Sequence, residues 1–154
     1  MISTADTLDE HGDRAAVCEL VLRQFGGVTA FSGVIATVRC HEDNVVLREY
    51  VSSPGAGRVL VIDGGGSLRV ALVGDNIAGI ARDNGWAGLV INGCVRDVAA
   101  LRELEIGILA LGSNPRRSGK NGGGEVDVAV SFGGILFTPG ATLYADDDGL
   151  AVIP

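Results

Sequence analysis

Apolar runs in this chain are short, rich in β-branched residues and closed by glycine, a pattern that points to an ordered sheet with tight turns. Glycine supplies 24 of 154 residues, roughly twice the usual share, against only four prolines. Gly33–Cys40 reads as a strand, and Glu42–Ser53, with Val45, Val46, Tyr50 and Val51 at helical intervals, as a helix. Arg58–Asp63 is a second strand, closed by Gly64–Gly66. Gly74–Asn84 places Ile77, Ile80 and Ala81 on one helical face, with the start near Asp75 as N-cap. Gly88–Asn92 is a continuous apolar strand, Asp97–Leu104 is helical, and Ile106–Leu111 is again a strand. This alternation over 33–111 predicts parallel βαβ units. From Val126 onward the runs Val126–Ser131, Ile135–Phe137, Thr142–Ala145 and Leu150–Ile153 leave no room for helices. The expectation is an α/β fold in one domain, residues 1–154, with a mixed sheet layer and helices packed against a second β layer.

Composition then narrows the function. Hydrophobic residues at 47% and charged ones at 20% support a sizeable core and argue against disorder. A net charge of −7 has the wrong sign for a nucleic-acid backbone, and at 5% aromatics there are no stacking platforms, so no direct nucleic-acid partner is expected. Cys18, Cys40 and Cys94 are odd in number and far apart, as in reduced cytosolic proteins. The first fourteen residues carry Asp6, Asp9, Glu10 and Asp13, unlike a secretory leader, and no apolar run is long enough for a membrane span. A soluble, cytoplasmic protein is expected.

The most informative constellation joins Asp75, at a helix start, with Arg96-Asp97, between a strand and the next helix. Ligands of open α/β sheets bind at this carboxyl edge, where loops and helix N-termini converge. Backbone amides of Gly74, Asp75, Asn76 and Ile77 offer a cradle for a small carboxylate, and Arg96 offers a planar charged fork. Asp97 suits a hydrated dication such as Mg²⁺. The alternative for the same residues is structural: Asp75 and Asp97 as helix N-caps, and Arg96 paired with a surface acid.

Asp75, a gap of twenty residues, and then Arg96-Asp97 match the D-x20-R-D motif of the RraA-like proteins, which include the regulator of ribonuclease E activity A and 4-hydroxy-4-methyl-2-oxoglutarate aldolases. GDNIAGIARDNGWAGLVINGCVRD, LGSNPRRSGK and ADDDGLAVIP follow in the expected order, so the chain resembles that family over nearly its whole length. The resemblance implies a swivelling β/β/α, phosphohistidine-domain-like fold and a homotrimer with sites at subunit interfaces. It also implies a class II pyruvate aldolase that needs Mg²⁺ or Mn²⁺, with secondary oxaloacetate decarboxylase activity through the same enolate. By that resemblance Asp97 holds the metal through its waters, Arg96 binds the oxo-acid substrate and steadies its enolate, and Gly74–Ile77 cradle the carboxylate. Asp75 assists proton transfer from the 4-hydroxyl. The other activity it implies is inhibition of a ribonuclease E-type enzyme through protein–protein contact, for which an acidic surface suits a basic partner.

Other features carry less. Gly112–Asn121 has the wrong spacing for a phosphate loop, and its Arg116, Arg117 and Lys120 read as a solvated basic loop, with steering of anionic substrates as the alternative. Asp63-Gly64-Gly65-Gly66 lacks the third glycine of a dinucleotide fingerprint, and no glycine-rich S-adenosylmethionine loop is evident. Cys94 reads as a packed loop thiol, His41-Glu42-Asp43 as a strand-to-helix cap, and Asp146–Asp148 as a turn between strands.

Overall fold

The computed structural model describes residues 2–154. Helix α1 (Thr4–His11) and a 3-10 turn (Gly12–Arg14) lead into two short strands, β1 (Ala16–Val17) and β2 (Arg23–Gln24). Then follow β3 (Phe31–Arg39), α2 (Val45–Val51), β4 (Val59–Asp63), β5 (Ala71–Val73), α3 (Asp75–Asp83), β6 (Gly88–Val95), α4 (Val98–Leu101) and β7 (Gly107–Ser113). The C-terminal part is β8 (Glu125–Val126), β9 (Val130–Phe132), β10 (Ile135–Phe137), β11 (Thr142–Asp146) and β12 (Gly149–Ile153).

Four parallel strands, β3, β4, β6 and β7, lie side by side at the centre of a ten-stranded mixed sheet. The expected βαβ alternation is therefore present. Strand β3 is long enough to serve two neighbourhoods: its first half pairs antiparallel with β11, and its second half pairs with β4 and β8. The sheet curls over at this strand, so most of the expected second β layer is the same sheet continued through β11, β12 and β1. Among the described residues only the β9–β10 hairpin forms a separate sheet.

Alternating residues of the central strands feed two cores. Leu60, Ile62, Leu89 and Ile91 face Leu47, Val51, Ile77, Ala78 and Leu101 on the helical side. Val59, Val61, Val90 and Leu109 face Phe132, Phe137, Leu143, Leu150 and Val152 on the other. Burial on both faces explains why these strands read as continuous apolar runs.

The helices differ from expectation at their ends. The N-cap of α3 is Gly74, which makes Asp75 the first helical residue and not the cap. Helix α4 is a single turn that stops well short of Leu104, because the Glu103 and Leu104 N–H groups bond only three residues back, to the Ala100 and Leu101 carbonyls, each at 3.1 Å. Strand β6 runs on to Val95, so Cys94 is a strand residue, 1% exposed, and not a loop thiol. Helix α1 was not foreseen, although Ser3 followed by Asp6 announces it: the Ser3 hydroxyl accepts the Asp6 N–H at 3.0 Å. Asp146 ties that helix to the β11–β12 turn by accepting the Thr4 N–H at 2.8 Å and the Thr4 hydroxyl at 2.7 Å. None of the described helices is long and apolar enough to cross a membrane.

Phe31, 4% exposed, fits over the starts of β6 and β7 because Gly88 and Gly107 carry no side chain, and a Cβ on either would enter its ring. Gly107→Ala is therefore expected to destabilise the fold by about 1–3 kcal/mol, measured by urea unfolding, through overpacking alone.

Candidate functional site

Strand β6 has two successive neighbours on one edge. Gly88–Asn92 pairs with β4, and once β4 ends the same edge takes up β5, with Ala71 opposite Cys94 and Val73 opposite Val95. The carboxyl ends of β5 and β6 therefore emerge side by side. The Arg96 N–H donates to the Val73 carbonyl at 2.9 Å and locks them together.

From this joint the chain turns sharply. Asp97 adopts the left-handed conformation (φ 59°, ψ 41°), sparsely populated for a residue with a side chain. Its carboxylate thereby accepts the Asp75 N–H at 3.1 Å and caps α3 from another part of the chain. Gly74 permits the approach, since a Cβ there would lie 2.5 Å from the Asp97 Oδ2 and 3.3 Å from the Arg96 Cγ. The structural alternative is thus met in part: Asp97 stands at the N-cap position of α4, where its carbonyl accepts the Leu101 N–H at 2.9 Å, but its side chain caps α3 and makes no cap bond within α4. Arg96 has no carboxylate partner among the described residues; its Nη1 reaches only the Pro115 carbonyl, at 3.4 Å.

All six residues singled out from the sequence, Gly74, Asp75, Asn76, Ile77, Arg96 and Asp97, line one cleft of about 160 Å³. Ordinary ligand pockets measure about 300–1,000 Å³, so this one suits a small organic acid and not a nucleotide. A hollow of about 300 Å³ elsewhere is lined by Glu19 and Asp146–Asp148 with no cation, the wrong sign for an anion.

Asn44, Arg48, Arg117, Ser118 and Lys120 also line the cleft, and the sequence reading did not place them there. The segment from Pro115 to Gly122 is solvated as expected, exposed at every residue except Ser118, but its backbone is fixed and walls the cleft. Its Arg116 carbonyl accepts the Ala71 N–H at 2.7 Å, and the Gly119 N–H donates to the Glu42 carbonyl at 2.8 Å. Asp43, 6% exposed, holds the far end by accepting the Asn121 and Gly122 N–H groups while also accepting the Val45 N–H at 3.1 Å. Lys120 donates to the Asn44 side chain, whose amide donates in turn to the Leu72 carbonyl at 3.0 Å. The strand-to-helix cap expected at Asp43 is present, and it also anchors the wall.

The cleft thus gathers Arg48, Arg96, Arg117 and Lys120 around Asp75 and Asp97, a local excess of positive charge in a protein of net charge −7. Among the described residues there is no group of three or more His, Cys, Asp or Glu side chains placed to hold a metal ion. Cys94 is 1% exposed and burial raises its thiol pKa, the opposite of the setting that activates a thiolate.

Burial pushes the Asp43 carboxyl upward, but the N–H groups of Val45, Asn121 and Gly122, with Lys120, outweigh it and hold the pKa below the ordinary 3.8. A depressed folded-state pKa gives stability that is present above the unfolded value and lost as pH falls through the folded one. Asp43→Ala should therefore cost about 2–3 kcal/mol at pH 7, and in urea unfolding the gap to wild type should close as the pH is taken below 3.8.

Comparison with known proteins places this architecture. The profile of the RraA-like family, described as Aldolase/RraA, matches residues 3–152. A Geobacillus kaustophilus structure described as S-adenosylmethionine:2-dimethylmenaquinone methyltransferase is similar at 48% identity and a TM-score of 0.97, covering 99% of this chain and 94% of its own. The RNA-processing inhibitor RraA from Thermus thermophilis is similar at 45% identity and a TM-score of 0.97, covering 100% of this chain and 93% of its own. Streptomyces coelicolor RraAS2, described as an unusual member of the RNase ES inhibitor RraA family, is 28% identical with a TM-score of 0.79, over 99% of this chain and 81% of its own. With nearly the whole chain matched in sequence and fold, this protein belongs to the RraA-like family.

Proposed function

We propose that this protein is a divalent-metal-dependent carbon–carbon lyase that cleaves 4-hydroxy-4-methyl-2-oxoglutarate to two pyruvates and decarboxylates oxaloacetate through the same pyruvate enolate. The observation that carries this reading is the Arg96 guanidinium, free of any carboxylate partner, set beside Asp97 and the N-terminus of α3 in one small cleft. Negative charge develops on the C2 oxygen as the bond beyond C3 breaks, and a cation fixed in advance lowers its energy before solvent can reorganise.

In this reading the amides of Gly74, Asn76 and Ile77 receive the substrate carboxylate at the positive end of α3, the Asp75 amide of the expected cradle being taken by Asp97. Arg96 holds the 2-oxo oxygen and gains strength as that oxygen becomes an enolate. Asp75, exposed at the cleft, takes the 4-hydroxyl proton through a water as the C3–C4 electron pair moves into the enolate and the distal half leaves as pyruvate. Return of a proton to C3 from water completes the second pyruvate.

Asp97 is the residue that would hold the Mg²⁺ or Mn²⁺. One exposed carboxylate, with Oδ2 committed to α3, fits a hard cation that keeps most of its own water. Such an ion, when bound, supplies Lewis-acid stabilisation of the same developing charge. A homotrimer in the cytoplasm belongs to this proposal.

The methyltransferase activity named for the Geobacillus relative has little to rest on in this chain. The glycines after β4 lead into β5 with no helix between, and the cleft is small for S-adenosylmethionine. A second reading, inhibition of a ribonuclease E-type enzyme by protein–protein contact, is favoured by the Thermus and Streptomyces relatives and by the −7 charge.

Metal-dependent release of pyruvate from both substrates is the deciding measurement. Arg96→Ala is expected to lower turnover by about two to three orders of magnitude. Asp97→Asn keeps an oxygen for the Asp75 amide but removes the charge, and should abolish the metal-dependent turnover. Capture of a ribonuclease by a protein with no turnover would favour the second reading instead.

A further inference from the structure

Ser118 lines the cleft at 4% exposure, and its hydroxyl has no hydrogen-bond partner among the described residues. Buried hydroxyls are ordinarily paired, so this one stands ready for a group that the protein itself does not provide. Arg117, next to it, and Arg48, on α2, also face the cleft and form no ion pair among the described residues. Lys120 is different: it is already committed to Asn44.

We propose that Ser118, Arg117 and Arg48 form a second anion subsite, which takes the distal carboxylate of a five-carbon 2-oxo dicarboxylate while Arg96 and the α3 amides hold its 2-oxo acid end. This rests on the cleft being the oxo-acid site described above. Strand β5 sets the spacing. Ala71 bridges to Arg117, and three steps along the chain Gly74 opens α3, so the two ends of the cleft are about 10 Å apart along the backbone. Side chains reaching inward from both ends bracket a short diacid. The wall that carries Arg117 and Ser118 is held by main-chain bonds to Ala71 and Glu42, so the subsite is ordered before a ligand arrives.

An acid with one carboxylate leaves this subsite empty and the hydroxyl orphaned, so the site discriminates by the second charge. Calorimetric titration in Mg²⁺ buffer separates the ends with two ligands of equal chain length: 2-oxoglutarate, which has no 4-hydroxyl to cleave, and 2-oxopentanoate, which ends in a methyl group. Wild type should bind 2-oxoglutarate about tenfold more tightly or better, and Arg117→Gln and Ser118→Ala should each bring it towards the 2-oxopentanoate level. Arg96→Ala should weaken both ligands alike. Equal binding of the two ligands by wild type, or a preference that survives in both Arg117→Gln and Ser118→Ala, would overturn the subsite. Turnover without such a preference removes the subsite and leaves the lyase; the preference without turnover removes the lyase and leaves the subsite.

Discussion

One carboxylate joins two distant turns of this chain. Asp97 leaves β6 in a left-handed conformation and accepts the first amide of α3, while the neighbouring Arg96 amide clasps the end of β5. Each bond has its own precondition. The Val73 carbonyl is in reach only because β5 replaces β4 on the edge of β6, and the Asp75 amide is in reach only because Gly74 leaves room for the carboxylate. The strained backbone at Asp97 is maintained by this over-determined arrangement, as strain at functional sites generally is.

How far the sequence discloses this differs from part to part. Central strands such as Gly88–Val95 are apolar on both faces and bounded by turn residues, so their period and ends declare them. Helix α3 is equally visible from Ile77, Ile80 and Ala81. Strands β1, β2 and β5 are two or three residues long and owe their conformation to partners such as Val152, Leu109 and Cys94, which no local pattern reveals. The length of α4 escapes as well, since no residue of Asp97–Leu104 marks where the four-residue hydrogen-bond step tightens to three at Glu103.

The candidate site divides along the same line. The half built on strand ends, Gly74–Ile77 with Arg96 and Asp97, follows from the rule that ligands gather at the carboxyl edge of a parallel sheet, and from a motif of fixed spacing. The half built on Arg117, Ser118 and Lys120 does not, because that wall is assembled from contacts with Ala71, Asp43 and Asn44. Locally it reads as a basic, solvated stretch; only the tertiary fold turns it towards the cleft.

That wall is fastened by its backbone and by Asp43, whereas the side chains of Arg117 and Ser118 contribute none of the fastening bonds. Anchorage and the proposed recognition are therefore assigned to different atoms. Exchanging the exposed Arg117 side chain removes none of those bonds, so under the proposed function a lineage with this architecture can retune which acids it accepts without renegotiating how it folds.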